Sequence, residues 1–439
     1  MRRSTSVPAL IFTGLLVFAL LGAGIAAAQE KIVFQVIWGP GVVEYEAFAR
    51  LVEEFNAEQE EIFVELQAGD PAAYFDRLIV QAATGSPPDL FVAGIDAPSP
   101  LVTGGYLLDI NETILAETLP WDQYIPAMQE NVYYGSAWYT IPWFMDNTWM
   151  LYSKSLFAER GLDPEAPPQT WEELQALGVK FVDGRDVEDP NLRSYGFKTD
   201  AIGGGTGAEG WWFLPFAWQA GAEFYDAERD RVQLDHPAVI EALRFLQAGV
   251  NESRFIAPPF VDTGALIQNN RLAMWHALPA HAVVWEQLTG EAPGTAMLPM
   301  DKERATQVGG WHLYIFDTPR REATIEFVRW LTERDHQAQY AIDVRTIPPR
   351  LDILRESELF QDYVMDHPHV MPLIEQAPFA RLVHPALRRA PIDNFSIEGA
   401  LTRALIEVIV DGVPVESALA QQQRLLDGLY QAYRLSQNE

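Results

Sequence analysis

"KIVFQVIWGPGVVEYEAFARLVEEFNAEQEEIFVELQ", residues 31–67, holds two strands and a helix in one reading. "KIVFQVIW" (31–38) is rich in Ile, Val and Phe and predicts a buried strand. "VEYEAFARLVEEFNAEQ" (43–59) puts Phe48, Leu51, Val52 and Phe55 on one helical face. "IFVELQ" (62–67) is a second strand. Working outward, "AAYFDRLIVQAATG" (72–85) is a second helix, ended by Gly85 and "SPPD", and "DLFVAG" (89–94) is a third strand. A βαβαβ order with short connections implies a parallel sheet with helices on both faces, hence the α/β class. Ligands of such sheets sit beyond the carboxyl ends of the strands, and those ends carry Trp38, Asp70 and Asp96.

The rest of the chain is more irregular. "PQTWEELQALGVKFV" (168–182) opens on a capping box, Thr170 to Glu173. "HPAVIEALRFLQAGV" (236–250) is a helix with Pro237 suited to its first turn. "RLAMWHALPAHAVVW" (271–285) is a strand leading to a helix, and "QVGGWHLYIF" (307–316) is a strand with a glycine pair near its start. From Thr318-Pro319 a long amphipathic helix runs to about residue 341, and the chain beyond about 365 is largely helical. No repeat or flexible linker interrupts it, so two domains would be joined by more than one crossing of the chain.

Length and composition set bounds. A chain of 439 residues exceeds one simple core, so two domains or one large α/β unit are expected. With 48% apolar and 21% charged residues it has a globular balance. The formal charge is −30, and −32 once Arg2 and Arg3 leave with a leader. That argues against nucleic acid, which needs clustered Lys and Arg, and against docking on an anionic membrane. The N-terminus reads as a signal peptide over residues 1–28. Arg2 and Arg3 precede the apolar run "ALIFTGLLVFALLGAGIA", and "AAAQE" offers small residues before a cut after Ala28. An uncleaved anchor is the alternative, because the apolar run is long for a signal. There is no cysteine, which excludes disulfides, thiol catalysis, cysteine metal sites and a lipid-modified N-terminal cysteine. The expected location is periplasmic or otherwise extracytoplasmic.

An ordered set of pieces now resembles a known family. These are the opening strand with "FNAE" after the first helix, "ATGSPPDLFVAG", "YTIPWFMDNTWMLYSKSLFAERGLDPEAPPQTWEEL", "RLAMWHALPA", "QVGGWHLYIF", "RWLTERDHQAQYA" and "IPPR". Each is weak alone. In this order and spacing they resemble the bacterial extracellular solute-binding proteins, family 1, which feed ABC importers and include maltose-binding proteins. The resemblance runs from about residue 31 to the C-terminus. It implies two α/β lobes around a ligand cleft, joined by several hinge crossings. Lobe one would take 29–140 and 312–362, and lobe two 141–311 and 363–439. It implies a non-catalytic, monomeric receptor that binds a sugar or oligosaccharide without a cofactor and delivers it to membrane permease subunits.

"PWFMDNTWMLY" (142–152) would then cross between the lobes. Asp146 or Asn147 offers hydrogen bonds to hydroxyls, and Trp143 or Trp149 a flat face. Sugars need both, since their C–H faces pack on aromatic rings and a buried unpaired hydroxyl costs about 1–3 kcal/mol. The structural alternative is that the aromatics pack the hinge and Asp146 makes a structural bond. Trp38 leads into "GPGVVE", where a helix start presents free N–H groups; otherwise Trp38 is core. Asp96 lies where the family often has a carboxylate for sugar hydroxyls, and both it and Asp70 serve equally well as N-caps. "GWWFLPFAW" (210–218) supplies Trp211, Trp212 and Trp218, with Trp211 and Trp212 carried forward as candidates. Trp275 lies where the family frequently has a stacking aromatic. Gly309 and Gly310 would let the backbone approach a ligand, beside Trp311. Arg381 lies where some sugar binders have an arginine reaching the cleft, and its alternative is a surface ion pair.

Other patterns are set aside. "GTGAEG" (205–210) matches the dinucleotide pattern but follows no clear strand of a βαβ unit, is followed by tryptophans instead of a helix start, and reads as a flexible loop. His367 and His369 in "HPH" belong to no metal motif. Two rivals stay open: the same receptor role for a polyamine or a glycerol phosphodiester, and a secreted glycoside-active enzyme with a carboxylate pair.

Overall fold

Strand β1 (Glu30–Val36) pairs in parallel with β2 (Ile62–Ala68) and with β3 (Leu90–Gly94), as the opening stretch requires. Helix α1 (Val43–Glu58) buries Phe48, Leu51, Val52 and Phe55 against Ile32, Phe34 and Val36 of β1. Helix α2 (Tyr74–Ala83) packs Tyr74 and Leu78 on Phe91 and Ala93 of β3. The computed structural model describes residues 29–71, 73–94, 99–130, 132–134, 136–203, 207–229, 231–383 and 394–436.

This first sheet is completed by three segments far along the chain: β4 (Thr140–Asn147), β9 (Thr306–Ile315) and β10 (Ala380–Arg381). The order is β10-β9-β3-β1-β2, with β4 also paired to β9. Asp89, fully buried in the "SPPD" turn, accepts from the Val33 amide at 2.9 Å, Thr318 Oγ1 at 2.6 Å and Arg320 Nε at 2.9 Å. A residue read from sequence as a helix stop therefore ties β1 and β3 to the chain leaving β9.

The second sheet has the order β8-β5-β7-β6, from β5 (Trp149–Tyr152), β6 (Tyr195–Lys198), β7 (Leu272–Ala277) and β8 (Gly294–Ala296). Its strands alternate between two cores. Met150, Tyr152 and Met274 face a cluster with α4 (Glu209–Gln219), α5 (Pro237–Asn251), α11 (Asn394–Ile409) and α12 (Val415–Ser436). Trp149, Leu151, Trp275 and Ala277 face another, with Trp285 of α6 (Ala280–Thr289) and with residues of the connecting helices. The expected lobe boundaries at 140/141 and 311/312 fall inside β4 and β9; the chain changes sheet at Thr148. Among the described residues, no helix is long and apolar enough to cross a membrane.

Three local readings change. The capping box of α3 (Trp171–Gly178) is built, but Glu173 reaches back to the Gln169 amide (2.7 Å), one residue before the Thr170 cap. The long helix expected from 319 to 341 is two, α7 (Arg321–Leu331) and α8 (Arg334–Asp343). Thr332 bonds back to the Val328 carbonyl, and its own carbonyl accepts from the buried Arg350 guanidinium at 2.8 Å, which ends the first helix there. "GWWFLPFAW" is helical throughout as α4, so the stretch read as a loop followed by tryptophans is in part a helix start.

Helix α4 meets α11 at Gly210, where a Cβ would lie 2.0 Å from the Glu398 carbonyl oxygen. Gly210→Ala should lower the unfolding free energy by about 1–3 kcal/mol through forced separation of the helices. Gly428→Ala, in α12 with open space around it, should raise it by a few tenths to about 1 kcal/mol. Urea unfolding of both variants checks the pair, and equal effects would contradict the packing.

Candidate functional site

The antiparallel ladder of β4 and β9 brings the central candidates together. Gly309 pairs with Asp146, Gly310 with Met145 and Trp311 with Phe144, before the register slips between Trp311 and His312. Gly310 has φ +146°, and a Cβ there would fall 2.4 Å from the Phe144 carbonyl oxygen. Its small size thus serves the approach of two backbones, β9 on β4. Gly309 is different: a Cβ would meet Trp211 Cζ2 at 3.6 Å and the Asp146 carbonyl oxygen at 3.9 Å, both ordinary contacts. Helix α4 therefore lays the Trp211 indole over the Gly309–Asp146 pair.

Around this point the aromatics are partly open. Trp38 and Trp311 are half-buried, with ring centroids 4.6 Å apart, and Trp38 also touches Phe48 and Phe144. Trp211 is half-buried and meets Trp212 edge to face at 5.0 Å. Asp146 is the carboxylate among them. Thr346 Oγ1 donates to it at 2.6 Å, and among the described residues no cation pairs with it. Burial pushes its pKa up to about 6; the Thr346 bond opposes this, and the Glu44 carboxylate at the start of α1 adds to it.

The other candidates lie apart. Trp143 is fully buried between Phe48 and Tyr340, a core position behind β4. Trp149 and Trp275 are buried on the far face of the second sheet. Trp212 and Trp275 flank His281, whose ring stacks on Trp275 at 4.3 Å with planes 6° apart. Asn147 is buried and donates to the Leu373 carbonyl. Asp70 is exposed and pairs with Arg77 at 3.7 Å; α2 starts at Tyr74, with Ala73 in the cap position that Asp70 was a candidate to fill. Arg381 pairs with Glu303 at 3.1 Å and Glu223 at 3.7 Å, the surface alternative. Asp96 lies outside the described residues. Sequence reasoning missed Glu44, Thr346 and His281. Glu44 was within reach, since it follows "GPGVV" directly; Thr346 and His281 carry no local signal.

The chemistry offered is a poorly compensated carboxylate beside apolar ring faces, with no arginine or lysine in the group. No group of His, Asp and Glu able to hold a metal occurs among the described residues.

Comparison with known proteins adds context. A family model described as bacterial extracellular solute-binding protein matches residues 39–338. The chain is 24% identical over 349 residues to a maltotriose-binding protein of Pyrococcus abyssi (strain GE5 / Orsay), covering 75% of this chain and 70% of that one. It shares its fold, at TM-score 0.79 and 22% identity over 92% of its length and 99% of the other, with the cyclic alpha-maltosyl-1,6-maltose binding protein of Arthrobacter globiformis. It is also similar, at TM-score 0.72 and 17% identity over 91% and 98%, to UgpB of Mycobacterium tuberculosis in complex with glycerophosphocholine.

Asp146 carries its own pH signature. Its folded pKa of about 6 lies above the ordinary 3.8, so from pH 4 to 6 the folded state holds more protons than the unfolded. Stability from this group is therefore present at low pH and lost as pH rises through that window. From pH 4 to pH 7 the stability of Asp146→Asn relative to the parent protein should shift in the variant's favour by on the order of 2 kcal/mol. Urea unfolding at both pH values checks this, and parallel curves would contradict it.

Proposed function

This chain belongs to the bacterial extracellular solute-binding protein family, and we propose that the solute it receives is a sugar or oligosaccharide. Its role is that of the substrate-binding component of an ABC importer, acting outside the cytoplasm. The reading extends to a monomer without catalytic activity that passes its cargo to permease subunits, exported by a cleaved leader over residues 1–28. The α/β fold has two lobes, with the ligand held between them.

The observation that carries the sugar reading is Asp146 beneath Trp211 and beside Gly309, with Trp38 and Trp311 close by. Hydroxyl donors would satisfy the carboxylate, and sugar C–H faces would cover the indoles. An anionic phosphodiester is disfavoured, since Asp146 and Glu44 repel it and among the described residues no cation pairs with Asp146. A polyamine is the second reading, and Glu44 beside Asp146 is what favours it.

The test is calorimetric titration of residues 29–439 with mono- and oligosaccharides, spermidine and glycerophosphocholine. Trp211→Ala and Trp311→Ala should each weaken the sugar by about tenfold or more, near 1.4 kcal/mol. Asp146→Asn should do the same at pH 7, and parent affinity should rise from pH 5 to 7 as the carboxylate ionises. Binding of spermidine or the phosphodiester in place of any sugar would overturn the sugar assignment and leave the receptor role. Recovery of the bound sugar cleaved would overturn the non-catalytic reading.

A further inference from the structure

A cavity of about 330 Å³ opens where α6 and β8 of the second sheet meet the helices that follow α8. Pro279, Val283 and Val370 form apolar walls backed by the buried Trp149 and Leu373, and Tyr363, His367 and His369 an aromatic rim. Tyr363, in α9 (Glu358–Asp366), stacks on His367 at 4.5 Å; His367 meets His369 edge to face at 5.8 Å; and the His369 carbonyl is held by Thr295 Oγ1 at 2.7 Å. Leu373 comes from α10 (Met371–Gln376). The size is at the lower end of small-molecule pockets, which favour junctions between structural units.

Two charges face this space. Arg345 is exposed, stands in the left-handed region at φ 57°, and is in no ion pair among the described residues. Glu286, on α6, is likewise unpaired among them. Burial chiefly disfavours protonation of His369, His367 and Arg345 add to that, and Glu286 opposes it, so both charges act on the same rim. A guanidinium left without a carboxylate partner at the edge of a partly apolar cavity is suited to an anion that brings an apolar body. Glycine would relieve the backbone at 345, yet arginine stands there.

We propose that this cavity is a second binding site, for a small organic carboxylate whose apolar body lies on Pro279, Val283 and Val370 and whose carboxylate meets Arg345 under the histidine rim. The site is distinct from the group around Asp146, whose partner Thr346 directly follows Arg345, and the proposal does not depend on what that group binds.

Ligand-observed NMR and calorimetry on residues 29–439 test it with 4-methylpentanoate, benzoate, leucine and inorganic phosphate. The expected result is binding of 4-methylpentanoate and benzoate, weakened at least tenfold in Arg345→Gly. That variant suits the left-handed backbone and should fold, with thermal unfolding as the check. Val283→Trp, which fills the cavity, should abolish binding. Leucine binding alongside 4-methylpentanoate supports carboxylate recognition. Leucine binding alone would overturn it, since recognition would then run through Glu286 and the ammonium group. Failure of both carboxylates to bind, equal binding by Arg345→Gly, or displacement by phosphate at equal concentration would each overturn the proposal.

Discussion

The pairing of β4 with β9 is the interaction on which the rest of the molecule depends. It joins strands distant in sequence, completes the first sheet and sends the chain into the second one residue later. Thr148, at the step between sheets, is held from several sides. Its amide donates to the Gln307 carbonyl at 3.3 Å, its hydroxyl meets that of Thr306 at 3.0 Å, and its carbonyl accepts from Thr306 Oγ1 at 2.8 Å and from Gln376 Nε2. The ladder can close only because Gly310 has no Cβ to strike Phe144. The slip at Trp311 and His312 is a bulge-like irregularity that re-aims a side chain. The same crossing therefore supports the sheet and places Asp146, Gly309 and Trp311 on one spot.

Tryptophan shows how position divides one residue type between tasks. Trp143 and Trp311 lie on adjacent strands of the same ladder. Trp143 points into the core against Phe48 and Tyr340, while Trp311 stays half-open beside Trp38. A fully buried indole contributes area and rigidity; a half-open one keeps a face for a ligand. Asp146 divides the same way. In water it would be an ordinary acid, but burial and Glu44 hold it part-way to neutrality, so a donor-rich partner gains more there than at the exposed Asp70.

Much of the architecture was legible along the chain. The β1-α1-β2-α2-β3 unit followed from hydrophobic periodicity, because local pattern and tertiary packing ask for the same faces there. Periodicity failed where a tertiary bond intervened. The break between α7 and α8 comes from Arg350 taking the Thr332 carbonyl, and Arg350 lies well beyond the helix it interrupts. The candidate group was legible in part. Trp38, Asp146, Gly309 and Trp311 were visible as residues; the ladder register made the last three neighbours, and ring contact with Trp311 adds Trp38.

By itself, the sequence determined the α/β class, the parallel opening sheet, the acidic exterior and the solute-binding family, because these rest on composition, periodicity and the order of motifs. The tertiary structure alone decided which tryptophans are core and which stay open, that Trp211 lies over Gly309, and that Arg345 and Glu286 share a cavity rim. Those facts depend on contacts between residues far apart in the chain, and a local pattern carries no information about which distant backbone will close over it.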